Sequence, residues 1–424
     1  MRGRPNLHTK YQFEMGLFPS TTKRVSLVLL GVLALLLPLS ALPLFGFLGD
    51  AGWMAMINRA LIYAIAALGL NLLIGVAGQV SLGHAFFMAV GAYTAVVLGG
   101  ESGRTVWGLG LPMWIWLPAA GVAAALVGIL IAPTAVRVRG LYLAFVTLGL
   151  VFVGQFLWRN LGVIAGGPTT GRPWPKLEFA LWKGMDPIVS FATDGPLWWW
   201  LTPIDWLPWV QIEEMSRHAK TYFFVLFLVI VFGLIAKNLM RTRVGRSWAA
   251  IRDRDIAAEV MGVAEAKGKT QAFAISSFYA GLAGAILASV VGRIIPESWN
   301  LFFSIEFVVI VLIGGAGTVA GVLMGTFFVV MMPRLVEEAT HWLATQVTES
   351  GPFAWLGNVI IRSSPDDYLG IVSLEAAGPG LSIFQLNVVL FGVLIIVFLI
   401  VEPLGLYGIW IKVRNYWKGW PFTY

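Results

Sequence analysis

Thr242-Arg-Val-Gly-Arg-Ser-Trp-Ala-Ala-Ile-Arg-Asp-Arg-Asp-Ile-Ala-Ala-Glu-Val-Met-Gly262 is a charged, helix-prone island between two apolar runs, 221–237 and 270–292, each long enough to cross a bilayer. A hydrophilic segment held between two membrane helices needs water or a water-soluble partner. Asp255 is placed to N-cap a short helix from Ile256 to Met261, and Gly262 stands where a left-handed residue closes such a helix. Two turns are marginal alone and gain stability by packing against another subunit. The island therefore reads as a coupling helix, the part of a membrane subunit that a cytoplasmic motor pushes; the alternative is an ordinary solvated loop.

The rest of the chain fits a membrane setting. Of 424 residues, 58% are hydrophobic and only 12% charged, with a mean hydropathy of +0.80, which no soluble core accommodates. The absence of cysteine excludes disulfides, cysteine-ligated zinc, iron–sulfur clusters and thiol nucleophiles. His8, His84, His218 and His341 are too scattered to suggest a multi-histidine metal site. The net charge of +7 comes from basic residues gathered in short segments beside apolar runs, which marks membrane orientation rather than nucleic-acid binding.

Apolar runs at 26–44, 56–76, 83–99, 114–132, 140–157, 221–237, 270–292, 305–315, 318–335 and 386–401 predict an all-α polytopic membrane protein of about ten transmembrane helices. The first run is long for a signal-peptide core and no clear cleavage site follows, so it reads as a retained helix. Threading the runs alternately puts 1–25, 133–139, 237–269 and 402–424 on one side, with 18 of the 29 Lys and Arg residues and a net charge of +12, against −5 on the other. The positive side is the cytoplasmic one. The expected layout is a cytoplasmic N-terminal segment 1–25, a transmembrane permease domain 26–401 and a cytoplasmic tail 402–424, both termini inside. Within the domain lie long exterior loops 158–220 and 336–385 and the cytoplasmic coupling loop 237–269.

The first exterior loop interleaves prolines with Trp174, Trp182, Trp198, Trp199, Trp200, Trp206 and Trp209, either an interfacial girdle or a docking rim for an exterior binding protein. The second carries Glu337, Glu338, Glu349, Asp366, Asp367 and Glu375 and is expected to be partly helical. Gly268-Lys269-Thr270 looks like the end of a phosphate loop, but five residues separate Gly262 from Gly268 where that motif has four, and no strand precedes it. The chain itself is not expected to bind nucleotide.

Gly75-Val-Ala-Gly-Gln-Val-Ser-Leu-Gly-His-Ala-Phe-Phe87 is a polar, glycine-rich break in an apolar region, and such a break in lipid must face protein or a wet cavity. Ser81 is placed to N-cap the next helix and aim its positive end at an anionic solute group, with Gln79 and His84 bordering the path and Asn71 two turns upstream. A cytoplasm-facing turn is the alternative. Gly314-Gly-Ala-Gly317 interrupts another apolar run, as a surface turn or an intramembrane break. Gly317, Gly321 and Gly325 recur every four residues and predict a helix-packing face, with Gly314 and Gly315 as lining candidates. Glu306 either serves the path or sits in the exterior interface. No Ser-His-Asp, paired-carboxylate or His-Glu-x-x-His arrangement is present, so the chain reads as a transport subunit and not an enzyme.

Gly69-Leu-Asn-Leu-Leu-Ile-Gly75, Gly78-Gln-Val-Ser-Leu-Gly-His-Ala-Phe-Phe87, Gly91-Ala-Tyr93, Gly245-Arg246, Ala250-Ile-Arg-Asp253, Ile256-Ala-Ala-Glu259, Gly281-Leu-Ala-Gly-Ala285, Ser304-Ile-Glu306, Gly314-Gly-Ala-Gly317 and Glu402-Pro-Leu-Gly405 together resemble the LivM-type permeases of bacterial branched-chain amino acid ABC importers. The resemblance implies a multi-pass subunit of the bacterial inner membrane paired with a related second permease, two cytoplasmic ABC ATPases that hold ATP and magnesium, and an exterior solute-binding protein. It implies no cofactor on this chain and no nucleic acid. Motor contacts would map to Gly245, Arg246, Arg252, Asp253, Asp255, Glu259 and Gly262. The chain departs from the family at Ala165-Gly-Gly167, where Thr-Gly-Gly is usual, and in the length of both exterior loops. Urea and short-amide importers share the fold, and an ion-coupled secondary transporter or a membrane scaffold are rivals from other classes. The first of these rivals needs acidic or histidine residues deep in helices, of which there are few.

Overall fold

The computed structural model describes residues 21–36, 51–103, 106–138, 140–167, 171–182, 185, 187–194, 216–348, 361–362, 372–373, 381–402 and 404–419. Residues 1–20, Arg139, Trp198, Trp199, Trp200, Trp206, Trp209, Glu349, Asp366, Asp367 and Glu375 lie outside that set.

The described α-helices of six or more residues are α1 (Thr21–Leu36), α2 (Ala51–Asn71, continued by a π-turn Leu72–Val76), α3 (His84–Gly99), α4 (Met113–Arg137), α5 (Leu141–Asn160), α6 (Arg217–Arg241), α7 (Arg243–Asp253), α8 (Asp255–Val260), α9 (Glu265–Val291), α10 (Leu301–Gly314), α11 (Val319–Thr348), α12 (Ile383–Val401) and α13 (Gly405–Gly419). Among the described residues, seven spans are long and apolar enough to cross a membrane: α2, α4, α5, α6, α9, α10 and α11, in whole or in part. α3 is a shorter apolar helix. Short ladders add a little sheet to the expected all-α fold: β1 (Arg172–Pro173) pairs antiparallel with β4 (Arg293–Ile294), and β2 (Glu178–Phe179) with β3 (Val189–Ser190). β5 (Ile361–Arg362), β6 (Val372–Ser373) and β7 (Leu381–Ser382) run parallel.

The centre of the bundle is α9, which packs against α4, α3 and α2; α2 in turn packs against α6 and α11. Apolar all round, these helices gain little from a hydrophobic effect in lipid and depend on close backbone approach. A Cβ on Gly91 would fall on the backbone of Gly281, and one on Gly284 on that of Met88, so α3 and α9 meet main chain to main chain. Asn58 Nδ2 donates to the His218 carbonyl at 2.8 Å, joining α2 to α6, and Tyr279 Oη donates to the Phe232 carbonyl at 3.0 Å, joining α9 to α6.

The connections collect at two ends. At one, buried Arg172 donates to the carbonyls of Trp107 (2.8 Å), Ile164 (3.1 Å) and Glu101 (3.4 Å), while Arg159 pairs with Glu297 at 2.7 Å. Burial pushes the Arg172 pKa below the ordinary arginine value, and the three carbonyls replace the water it has lost. Trp174 is at this end too, but it is buried with its ring 5.4 Å from that of Tyr93, so it is core and not interfacial girdle; Trp182 is exposed. At the other end the break after α2, the end of α4, the α7–α8 island, the turn between α10 and α11 and the start of α13 come together. The segment expected as the second exterior loop begins as helix, since α11 continues to Thr348.

Candidate functional site

The island folds as two helices broken at Arg254, whose φ of −157° and ψ of 101° are extended. α7 buries Trp248 and Ile251 against the start of α9: Trp248 Nε1 donates to the Gly268 carbonyl at 2.9 Å, and a Cβ on Gly268 would meet Ile251 Cδ1 at 2.5 Å. Gly245 is buried at the corner between α6 and α7, against the carbonyls of Leu239 and Met240, and Arg246 Nη1 donates to the Arg241 carbonyl at 2.8 Å. These two predicted motor contacts shape the corner. Asp255 Oδ1 accepts the Ile256 amide at 2.8 Å, but the helix begins one residue earlier than expected, with Arg254 as its N-cap. At the other end Gly262 (φ +81°) donates to the Glu259 carbonyl at 2.9 Å and Val263 to the Ala258 carbonyl at 3.0 Å, a Schellman closure.

The outer surface of α8 is apolar as well as charged. Ile256 is 66% exposed, Val260 81% and Met261 83%, beside exposed Asp253 and Glu259. These three apolar residues were missed by reading the island as a charge cluster, although their i, i+4, i+5 spacing in an otherwise hydrophilic segment is a usable signal.

Arg252, expected to meet the motor, is 43% exposed at its side chain, and its guanidinium is engaged within the subunit. Its Nη1 donates to the Gly75 carbonyl at 2.8 Å, its Nε to Asp253 Oδ1 at 3.1 Å, and its stem crosses Gly78, where a Cβ would strike it. Gly75 sits at the C-terminal end of α2 and its π-turn, where carbonyls lack intrahelical partners and a cation complements the helix dipole. The backbone of Gly75 is so close to Gly317 that a Cβ there would overlap the Gly317 nitrogen. Fully buried Asn71 completes the joint: its Oδ1 accepts the Gly317 amide at 2.7 Å and its Nδ2 donates to the Thr318 carbonyl at 3.4 Å. Asn71 thus serves as a brace between α2 and the α10–α11 turn.

Gly317 is not part of the helical packing face, because its φ of +81° places it in the turn before α11. Gly321 and Gly325 do face α10, against the carbonyls of Gly314 and Ile310. Gly314 ends α10; Gly315 (φ +113°) lies where a Cβ would approach the Leu404 carbonyl to 2.5 Å, so the start of α13 caps the turn. Glu402, just before α13, is bridged to Lys412 within it.

The break after α2 re-enters the bundle. His84, at the start of α3, has its Nε2 3.0 Å from the Ala66 carbonyl, ten residues before Val76 and so about 15 Å from the end of α2 along its axis. The freed backbone groups are satisfied by hydroxyls: Thr147 accepts the Leu82 amide and Ser304 the Ala85 amide, both at 2.9 Å. Ser81 is not the N-cap. Gly83 occupies that position without a side-chain bond, and the Ser81 hydroxyl accepts the Gly83 amide at 3.3 Å. His84 packs against the Phe307 ring at 5.2 Å, and Glu306, the residue before Phe307 in α10, is half-buried. Gln79 is buried, and among the described residues neither of its amide atoms has a hydrogen-bond partner. It lines a cavity of about 220 Å³ at the island end, shared with Gly78, Val138, Arg252, Asp255 and Lys269.

A bundle of apolar helices with re-entrant polar backbone at its centre and a braced hydrophilic island at one end defines a multi-pass membrane transport subunit. The chain belongs to the branched-chain amino acid transport system / permease component family, which matches residues 53–399. It is 32% identical over 332 residues to the high-affinity branched-chain amino acid transport system permease protein LivM of Escherichia coli, covering 76% of this chain and 71% of the relative. The LivM protein of Salmonella typhimurium is likewise 32% identical over 296 residues, covering 70% of this chain and 66% of the relative. A shorter likeness, 33% over 118 residues, 26% of this chain and 33% of the relative, links it to the autoinducer 2 import system permease protein LsrC of an Enterobacter species. No solved structure matches the chain.

Proposed function

We propose that this chain is the permease subunit of an ATP-driven, binding-protein-dependent importer of leucine, isoleucine and valine in a bacterial inner membrane. It works beside a related second permease, with two cytoplasmic ABC ATPases that hold the ATP and magnesium and an exterior solute-binding protein. The observation that carries the reading is the α7–α8 island: its apolar tip, Ile256, Val260 and Met261, faces outward, while Arg252 on the same island grips Gly75 at the end of α2. A push on the tip reaches the α2 break and the Gly317 turn through hydrogen bonds and packed backbone, as a lever requires.

Ten spans with both termini in the cytoplasm remain the best account of the topology. Each apolar run holds a helix, and the connections threaded to the cytoplasmic side gather at the island end. Placement supports a division of the site roles. Asp253, Asp255, Glu259 and the apolar tip meet the ATPase; Gly245, Arg246, Arg252 and Gly262 hold the island's shape; Asn71, Gly314 and Gly315 form the joint that moves; Gln79, Ser81, His84 and Glu306 border the solute path. Co-expression with the candidate ATPases tests this: Asp255→Lys with Glu259→Lys abolishes leucine-stimulated ATP hydrolysis, and unchanged assembly and hydrolysis contradict the coupling role.

A further inference from the structure

Arg59 and Glu306 are charges within spans, away from the island end. Arg59 is exposed on α2, 17 residues before Val76, and Glu306 is half-buried on α10. They stand at one level. Tyr63, one turn after Arg59, packs its ring 5.6 Å from Phe303 and 5.0 Å from Phe307, the residues on either side of Glu306 in α10. Tyr63 lies in the field of both charges, and Arg59 is the cation whose field reaches Glu306. Among the described residues neither closes an ion pair within 4.0 Å. Each therefore keeps free hydrogen-bonding capacity, guanidinium donors on one side and carboxylate acceptors on the other.

Charges at such depth are costly against hydrocarbon and face protein or water. Next to Glu306, α10 exposes Phe302 (81%) and Ile305 (37%), an apolar rim beside the two poles. We propose that Arg59 and Glu306 form a two-pole site on the solute path, on the face covered by the second permease. There Arg59 holds the carboxylate of a zwitterionic amino acid, Glu306 its ammonium group, and Phe302 and Ile305 its aliphatic side chain. The proposal rests on the importer reading and adds to it the residues that read the solute's charges.

The test uses the complete complex in vesicles with its binding protein. Glu306→Gln and Arg59→Gln each lower leucine uptake about tenfold or more, the effect of losing one hydrogen bond to a charged group. The yield of assembled complex is unchanged. Because the chain lacks cysteine, Ile305→Cys gives an independent reading by mass spectrometry of this subunit. A small water-soluble thiol reagent modifies it, and leucine at roughly ten times its dissociation constant slows the modification about tenfold. Undiminished uptake by both glutamine variants, no modification of Ile305→Cys, or modification indifferent to leucine overturns the site. Absence of leucine uptake by the unsubstituted complex overturns the importer reading instead.

Discussion

Arg252 Nη1 donates to the Gly75 carbonyl at 2.8 Å, although 177 residues separate the two in the chain. One bond thereby fastens the hydrophilic island to the end of a membrane helix. Beyond Gly75 the path continues by packing to Gly317 and by two hydrogen bonds to Asn71, so the island, α2 and the α10–α11 turn share a joint.

Arg252→Met removes the charged donor and keeps the stem that crosses Gly78. The expected loss is about 1.5–3 kcal/mol of coupling, or roughly tenfold or more in leucine transported per ATP hydrolysed. ATPase co-purification persists, because the island's tip is untouched. Parallel measurement of uptake and phosphate release checks this.

Gly75→Ala places a methyl on the Gly317 nitrogen, where only backbone can yield, and is expected to cost about 1–3 kcal/mol. Gly262→Ala meets no atom within 4 Å and bears only its φ of +81°, about 1–2 kcal/mol. Thermal unfolding in detergent separates the two: the first variant melts lower and loses transport, the second melts slightly lower and retains it.

Ile256→Ser, Val260→Ser and Met261→Ser together remove the exposed apolar tip. Residues so exposed contribute within about 0.5 kcal/mol to the fold of this subunit. The expected outcome is an unchanged melting temperature with loss of ATPase from the purified complex, read by quantitative gel or mass spectrometry.

Arg172→Met leaves three carbonyls without their donor at the opposite end of the bundle and is expected to destabilise by about 2–4 kcal/mol. Thermal unfolding measures it, and a melting temperature equal to that of the parent contradicts the clamp.

Much of this was legible in the sequence, for reasons that are local. Apolar runs such as 270–292 announce their helices because composition alone decides them, and Gly262 announces the end of α8 because only a left-handed residue closes it so. What escaped is what depends on distance in the chain. Nothing near Arg252 says that it faces Gly75, and nothing near Asn71 points to Gly317. Ser81 looked like a helix cap because serine at that spacing often is one, but the helix starts only at His84, after Gly83, and Thr147 and Ser304 accept the exposed amides instead. Gly317 kept the four-residue period of Gly321 and Gly325 while its backbone had already left the helix. Trp174 resembled an interfacial indole until Tyr93 and its neighbours enclosed it.

The most direct measurement compares vesicles holding the complete complex with vesicles holding this chain and the second permease but no ATPase, both supplied with binding protein, radiolabelled leucine and ATP on the ATPase side. Accumulation against a gradient in the first and none in the second is the predicted result. Uphill accumulation in the second would contradict the account, since this chain would then drive transport unaided by the ATPases.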